Sequence, residues 1–439
     1  MALVSELELP AFDHTDPALR GERFHRVMAE LRSQGWLAEG PFGYVVLDRE
    51  SAEFFLRTRA ATFPGMKIAE IFDVKEGPLY EQMKRNILHV NGPDHARLRS
   101  LINPALSPRA VERYRPAMRA FLEQLLEAAV AASRESAAAG DDAGTVGCEF
   151  VDAFAKPYPS LTIATVMGAP LEDAPKLHHW SNWIQRQFDA ASMASERAGI
   201  ERAVEEFYDY ARELVRARRE DPGNDLISTL IAAEEAGDKL SDVECINLVF
   251  NVLAGGVDTT QSQLAHAIRL LAEHPEQWAA LRANPSLAPA AVEEALRYEP
   301  ITPFTARIVD QEITFRDVTF PVETIVMVCA FTGNRDLDEH AGTANRDAGE
   351  DGTGAHPAAG DGDEFDITAS TGAHPSARAL TFGAGVHYCL GANLARVELQ
   401  EALAFLAERF ERLELDGEPR YESITGIYGL GKLPVRLLP

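Results

Sequence analysis

No run in this sequence approaches the roughly 18 to 20 consecutive apolar residues that a bilayer-spanning helix needs. Its first twenty residues carry Glu6, Glu8, Asp13 and Asp16 where a leader would have basic residues and then an apolar stretch, so neither signal peptide nor membrane anchor is expected, and a cytoplasmic location is. Cysteine is scarce: Cys148, Cys245, Cys329 and Cys389 are the only four, and no two form a C-x-x-C pair. That excludes a disulfide framework and fits a reducing compartment. Basic residues are also short, 42 Lys and Arg against 68 Asp and Glu, giving a formal net charge of −26 at pH 7. Polyanions repel such a chain, which argues against binding nucleic acid or an anionic membrane surface. Internal repeats are absent too.

What is present is apolar residue in quantity, 46% of the chain, enough for a large core. A length of 439 residues would allow two or three domains, but no linker divides the chain, and it reads as a single domain over residues 1–439. Apolar positions at three-to-four spacing predict helices over Ser107 to about Ser133, Leu171 to Ala190, Glu196 to Arg219, Ser241 to Glu273, Ala288 to Tyr298 and Ala392 to Phe410. Ser241 followed by Glu244 is a capping box that starts the fourth of these. Strand patterns are few: Gly43 to Leu47, Glu312 to Phe315, Thr324 to Cys329 and Val435 to Leu438. Two stretches, 136–147 and 336–366, are rich in Gly, Ala and acidic residues, cannot bury enough surface to offset ordering, and read as flexible surface insertions.

Four short motifs carry chemistry. The first is Phe382-Gly383-Ala384-Gly385-Val386-His387-Tyr388-Cys389-Leu390-Gly391, just before a predicted helix. Glycines before the cysteine permit a tight loop, and a helix N-terminus favours a thiolate at Cys389. Read alone, Cys389 is as well explained as a small buried hydrophobe. The second is Gly255-Gly256-Val257-Asp258-Thr259-Thr260, inside an apolar helix. Each glycine there costs about 1 kcal/mol relative to alanine, and such a broken rule often marks function, though a kink for packing with Asp258 in solvent is the plainer explanation. Third, Glu294 and Arg297 share a helix face at i and i+3, most simply as a surface pair of little energetic value. Fourth, His95 and Arg99 are four apart on one face and by default are solvated.

These motifs, in this order, resemble those of the cytochrome P450 family from about Phe63 to Pro434, and the F-x-x-G-x-H-x-C-x-G string is that family's haem-binding signature. The resemblance implies a mainly α fold with small β-sheets and a haem b (iron protoporphyrin IX) between the long central helix and the cysteine-loop helix. It implies Cys389 as the iron ligand, with Gly391 in the same loop, and His95, Arg99, Arg307 and His387 as haem binders, cationic partners for its propionates. It makes Asp258 and Thr259 the acid–alcohol pair that serves oxygen activation, Thr259 by a hydrogen bond and Asp258 by delivering protons. It makes Glu294 and Arg297 a buried structural pair. One departure stands out: after Asn334-Arg335-Asp336 the chain takes an acidic, glycine-rich detour before Phe365-Asp366.

Other strings do not survive scrutiny. Gly426 to Lys432 fits G-x-x-x-x-G-K, but Leu433-Pro434 follows where a phosphate loop needs Ser or Thr and a helix, so a turn between strands is expected. Gly383-Ala384-Gly385 has Tyr388 where a dinucleotide fingerprint has its third glycine. His178-His179 has no ligand partner at metal spacing and reads as a helix-surface pair.

The function that follows from the resemblance is monooxygenation: one atom of O2 enters an apolar small molecule and the other leaves as water. No flavin or iron–sulfur motif occurs, so electrons come from separate proteins, a ferredoxin and its reductase, for which Arg97, Arg99, Arg109, Arg113 and Arg115 offer a basic face. Ile71, Phe72, Gly255, Pro303, Phe304 and Ile427 are candidate pocket residues, each equally readable as core. Two alternatives remain, an H2O2-dependent peroxygenase and a haem sensor or carrier without turnover. The intact Asp258-Thr259 pair argues against the first.

Overall fold

The computed structural model describes residues 1–136, 144–235, 240–336, 362–369 and 378–439. The expected insertions at 136–147 and 336–366 therefore lie largely outside the described residues. Eight helices matter to the site: α1 (Gly21–Gln34), α2 (Gly92–Ile102), α3 (Pro157–Met167), α4 (Ala174–Gln185), α5 (Asp242–Gly256), α6 (Asp258–Glu273), α7 (Ala288–Tyr298) and α8 (Ala392–Ala407). The chain forms two compact units, Met1–Thr62 with Pro289–Tyr388, and Phe63–Ala288 with Cys389–Pro439.

The first unit is built on a five-stranded sheet of β1 (Leu37–Gly40), β2 (Gly43–Val46), β3 (Ala61–Thr62), β4 (Phe304–Val309) and β5 (Ile325–Cys329), in the order β1-β2-β5-β4-β3. Only the β2–β5 pairing is parallel. The β-branched run of β5 earns its central place: Val326 and Val328 are buried with Phe55, Phe320 and Val46 in one apolar cluster. Gly43 permits the hairpin, because a Cβ there would sit 2.1 Å from the Ile325 carbonyl oxygen, and its φ of +140° suits glycine alone. Strand β4 was not expected from sequence. Its run of Phe304 to Val309 carries Arg307 in a buried position and becomes a strand through its five-residue antiparallel register with β5. Gly362 lies against Arg335, where a Cβ would come within 2.0 Å of the arginine's carbonyl oxygen.

The second unit is mainly helical, with an antiparallel sheet of Arg412–Leu415, Pro434–Leu438 and Val146–Glu149 and a hairpin of Arg420–Tyr421 with Leu430–Lys432. The capping box is present: Glu244 N donates to Ser241 Oγ at 3.3 Å and Ser241 N to Glu244 Oε2 at 2.8 Å. Two helices expected as continuous are broken. Ser107 to Ser133 divides into Pro108–Val111, a 3-10 turn and Arg115–Ser136, because Pro116 has no N–H to give and belongs in a first turn. Ser241 to Glu273 divides at Val257, whose φ of −92° and ψ of −69° separate α5 from α6. At that break a Cβ on Gly256 would lie 2.4 Å from Ile163 Cδ1 of α3, so a larger residue there would have to displace that side chain. Among the described residues no helix is long and apolar enough to cross a membrane.

Candidate active site

In the second unit Cys389 is half-buried, two residues before Gly391, the N-cap of α8. Backbone N–H groups of Gly391 and Ala392 and the charges of Arg99 and Arg396 pull its thiol toward ionisation, but burial outweighs them and pushes the thiol above its ordinary range. The thiolate expected from the helix end alone is thus not favoured by the protein by itself; a coordinated metal ion removes that proton outright. A side chain on Gly391 would meet nothing within 4 Å. His95 and Arg99 both lie on α2, and His95 is 4% exposed. Burial and then the neighbouring Arg99 hold the imidazole below its usual value. Burial also lowers Arg99, against the opposing influence of Cys389, so the structure brings Arg99 to the electrostatic vicinity of the cysteine.

The α5–α6 break presents the acid–alcohol pair. Thr259 Oγ1 donates to the Gly255 carbonyl, and a Cβ on Gly255 would meet only open space. Asp258 is 8% exposed rather than solvated, and burial raises its carboxyl above the usual aspartate range. Asn182 on α4 donates to Asp258 Oδ1 at 3.4 Å, Arg186 Nη2 donates to Asn182 Oδ1 at 3.2 Å, and Arg186 Nη1 pairs with Glu196 at 2.7 Å. His178 corrects the sequence reading. It is half-buried, with its Nε2 2.9 Å from Gln261 Oε1, whereas His179 is exposed as expected. The pairing was invisible because its partner lies about 80 residues away. Gly426 to Gly429 forms the turn before strand Leu430–Lys432, as expected.

Sequence reasoning also missed Glu398. It sits on α8 at 1% exposure, with Thr260 Oγ1 donating to Oε2 at 3.3 Å. Burial raises its carboxyl well above the usual range, with bonds from Thr162 and Thr260 opposing. The available signal was an acid four residues after Leu394, on the apolar face. A raised native pKa means that the folded state holds this proton more tightly than the unfolded chain. Stability from Glu398 is therefore fully present below the unfolded carboxyl pKa and is lost as pH rises toward the native one. The neutral isostere Glu398→Gln is expected to gain on wild type, in denaturant midpoint, between pH 5 and pH 8. A difference independent of pH would mean that Glu398 is charged when folded.

In the first unit, Gly383 and Gly385 have φ of +69° and +71°, and a Cβ on Gly385 would strike the Leu56 carbonyl oxygen at 2.6 Å. The glycines before the cysteine are thus needed for the turn that ends in His387, which is half-buried. Arg307 on β4 is 3% exposed, donates to the Ala306 carbonyl at 2.9 Å, and has no acidic partner among the described residues. Burial alone lowers it to about 10. Glu294 and Arg297 on α7 are a buried bidentate pair, at 2.8 and 2.7 Å, not a surface one. Of the pocket candidates in this unit, Pro303 is buried, and the Phe304 ring packs 5.7 Å from Phe12 and 6.3 Å from Phe24, as core does. In the second unit Ile71 is exposed, while Phe72 and Ile427 are half-buried.

The sequence profile of the family described as Cytochrome P450 matches residues 44–341 and 363–436. The chain belongs to the cytochrome P450 family. Among P450s it is 31% identical to luteothin monooxygenase of Streptomyces thioluteus over 98% of this chain and 96% of that one. It is 32% identical to mycinamicin IV hydroxylase/epoxidase of Micromonospora griseorubida over 76% and 75%. The crystal structure of CalO2 superposes with a TM-score of 0.82 at 28% identity, covering 98% of this chain and 100% of that one. The fold is that of a P450, mainly helical with small sheets, and the protein is a P450 monooxygenase of the haem b class. Its own residues fit that cofactor. A buried guanidinium without an acid, Arg307, suits a carboxylate-bearing group, and the thiol of Cys389 faced by backbone N–H groups suits a thiolate metal ligand.

Proposed function

We propose that this P450 inserts one atom of O2 into an apolar small molecule, reducing the other to water with two electrons and two protons, and that the electrons come from a ferredoxin and ferredoxin reductase. When bound, the haem supplies the oxygen chemistry. Cys389 is the iron ligand in this reading. Arg99 and Arg307 offer positive charge to its carboxylates, and His95 and His387 offer ring N–H hydrogen bonds. Gly391 leaves the loop open beside the thiol, and Glu294 with Arg297 fixes the backbone at Gly362, Glu364 and Asp366. Asp258 holds its proton more tightly than an exposed aspartate, which suits a group that passes protons on, and Asn182 keeps one of its oxygens in place. Thr259, tied to the Gly255 carbonyl, keeps its hydroxyl at the open side of the helix break. That intact pair at the break is the observation that carries the reading, because a peroxygenase has no need of a proton relay.

For substrate contact we propose Gly255, Phe72, Ile427 and Ile71, with Pro303 and Phe304 weaker for their core packing. For electron-donor docking Arg109 stands out. Arg97 pairs with Glu244 and Arg115 with Glu112 and Glu401, whereas Arg109 is exposed and has no ion pair among the described residues; Arg113 bonds only neutral Asn224 and Tyr114.

The test is turnover of a substrate chosen by haem spin-state shift, with ferredoxin, reductase and reduced nicotinamide, for wild type and Thr259→Ala. Wild type is expected to couple reductant to product, and the variant to lose roughly 10²-fold in product per electron pair while still consuming reductant. Product from H2O2 alone, unchanged in Thr259→Ala, would make the protein a peroxygenase. Haem binding without reductant consumption would make it a sensor or carrier.

A further inference from the structure

The first unit contains a cavity of about 250 Å³. It is unusual in a chain of net charge −26: three guanidiniums line it, from Arg26, Arg32 and Arg335, against the single carboxylate of Asp363. His25 lines it as well, its Nε2 held at 2.9 and 3.1 Å from the two oxygens of fully buried Glu299. Arg26 and Arg32 form no ion pair among the described residues, although acids outnumber bases across the chain. Arg335 is 5% exposed, and its charge is only partly used. One ion pair to Asp363 spans 3.3 Å, Nη1 donates to the Phe331 carbonyl at 3.3 Å, and Nη2 is buried with no hydrogen-bond partner. A buried donor left unsatisfied costs about 1–3 kcal/mol, so such groups generally serve a purpose.

Apart from the Thr332 hydroxyl, the remaining walls are mostly apolar. The Arg335 guanidinium lies 3.7 Å from the Phe331 ring centroid and 4.6 Å from that of Tyr298, and both rings line the cavity with Met28. A cavity of about 150 Å³ accepts benzene, so this one has room for an aromatic ring with a substituent. Asp363 and Glu299 oppose a dianion, which makes one negative charge the better match. We infer that this cavity, between α1 and the 298–299 and 331–335 segments, is a binding site for a small aromatic monocarboxylate. The carboxylate sits among the arginines, and the ring lies along Tyr298 and Phe331. The site owes nothing to the oxygen chemistry and stands independently of it.

The experiment uses the haem-loaded protein with the haem pocket saturated by an azole, so that only other sites remain. Benzoate is titrated by calorimetry into wild type and into the double variant Arg26→Ala/Arg32→Ala, with benzyl alcohol as the uncharged control. The reduced carbon monoxide spectrum checks that the variant is intact. One benzoate site is expected in wild type, weakened at least tenfold in the variant, with no binding of benzyl alcohol. No benzoate binding to wild type, equal affinity in the variant, or equal affinity for benzyl alcohol would each overturn the assignment.

Discussion

Cys389→Ala is expected to abolish the red-shifted Soret band of the reduced, carbon-monoxide-bound protein and to reduce monooxygenase turnover to background. The argument does not rest on the cysteine's rarity. Two other cysteines, Cys245 and Cys329, are fully buried in packed surroundings, and Cys148 is pushed up to about 12 by burial. Cys329, with N–H groups of Phe331 and Thr332, has Arg335 alone beside it among the described residues, whereas at Cys389 the backbone N–H groups of Gly391 and Ala392 and two arginines act together on the sulfur. Those groups are too weak to ionise the thiol against burial, so the protein supplies a site in which a metal completes the task. Alanine leaves the loop glycines and α8 intact, so the variant should fold. Absorption spectra of both proteins, with haem content measured independently, check the outcome. A red-shifted band that persists in the alanine variant would remove Cys389 as ligand.

Arg297→Ala should have the largest effect on folding. Its guanidinium makes four short hydrogen bonds, two to Glu294 and one each to the carbonyls of Gly362, at 2.7 Å, and Glu364, at 2.6 Å. Glu294 in turn accepts from the Asp366 N–H at 2.9 Å. Removing the arginine leaves a buried carboxylate without its counter-ion and two carbonyls without a donor. Breaking such a pair costs about 3–5 kcal/mol, a large part of the roughly 5–15 kcal/mol that keeps a domain folded. Little folded, haem-loaded protein is expected at 37 °C, by circular dichroism and haem yield. Lysine at 297 should not rescue it, because a point charge cannot serve two partners in a fixed plane. Replacing both members of the pair by apolar residues should recover only part of the loss, since the carbonyls stay unmet. Full recovery would show that the backbone contacts carry no weight.

Much of this was legible in the sequence because the signals are local. The bounds of α7 follow from its apolar spacing, the capping box at Ser241 from two residues three apart, and the loop before Cys389 from its glycines. What escaped depends on partners distant in sequence. Strand β4 exists through its pairing with β5, the surroundings of Asp258 through α4, and the burial of Glu398 through α3 and α6. The glycine pair at 255–256 announced a special place on the helix, but not that the helix would stop there. That break shows only in the backbone at Val257. Charge patterning misled at His178, where a polar pair on a helix suggested solvent and packing supplied Gln261.

The close approach of Gly362 to the Arg335 carbonyl has a consequence for how this protein can be altered. Arg335 and Gly362 meet at one place in the scaffold, a doorway held on the Gly362 side by Arg297 and Glu294. Chain entering and leaving through a single doorway changes folding free energy only slowly with its length, by about 0.6 kcal/mol per doubling. That makes the doorway a natural graft position, where an electron-donor domain can be joined in mid-chain with both chain ends left free.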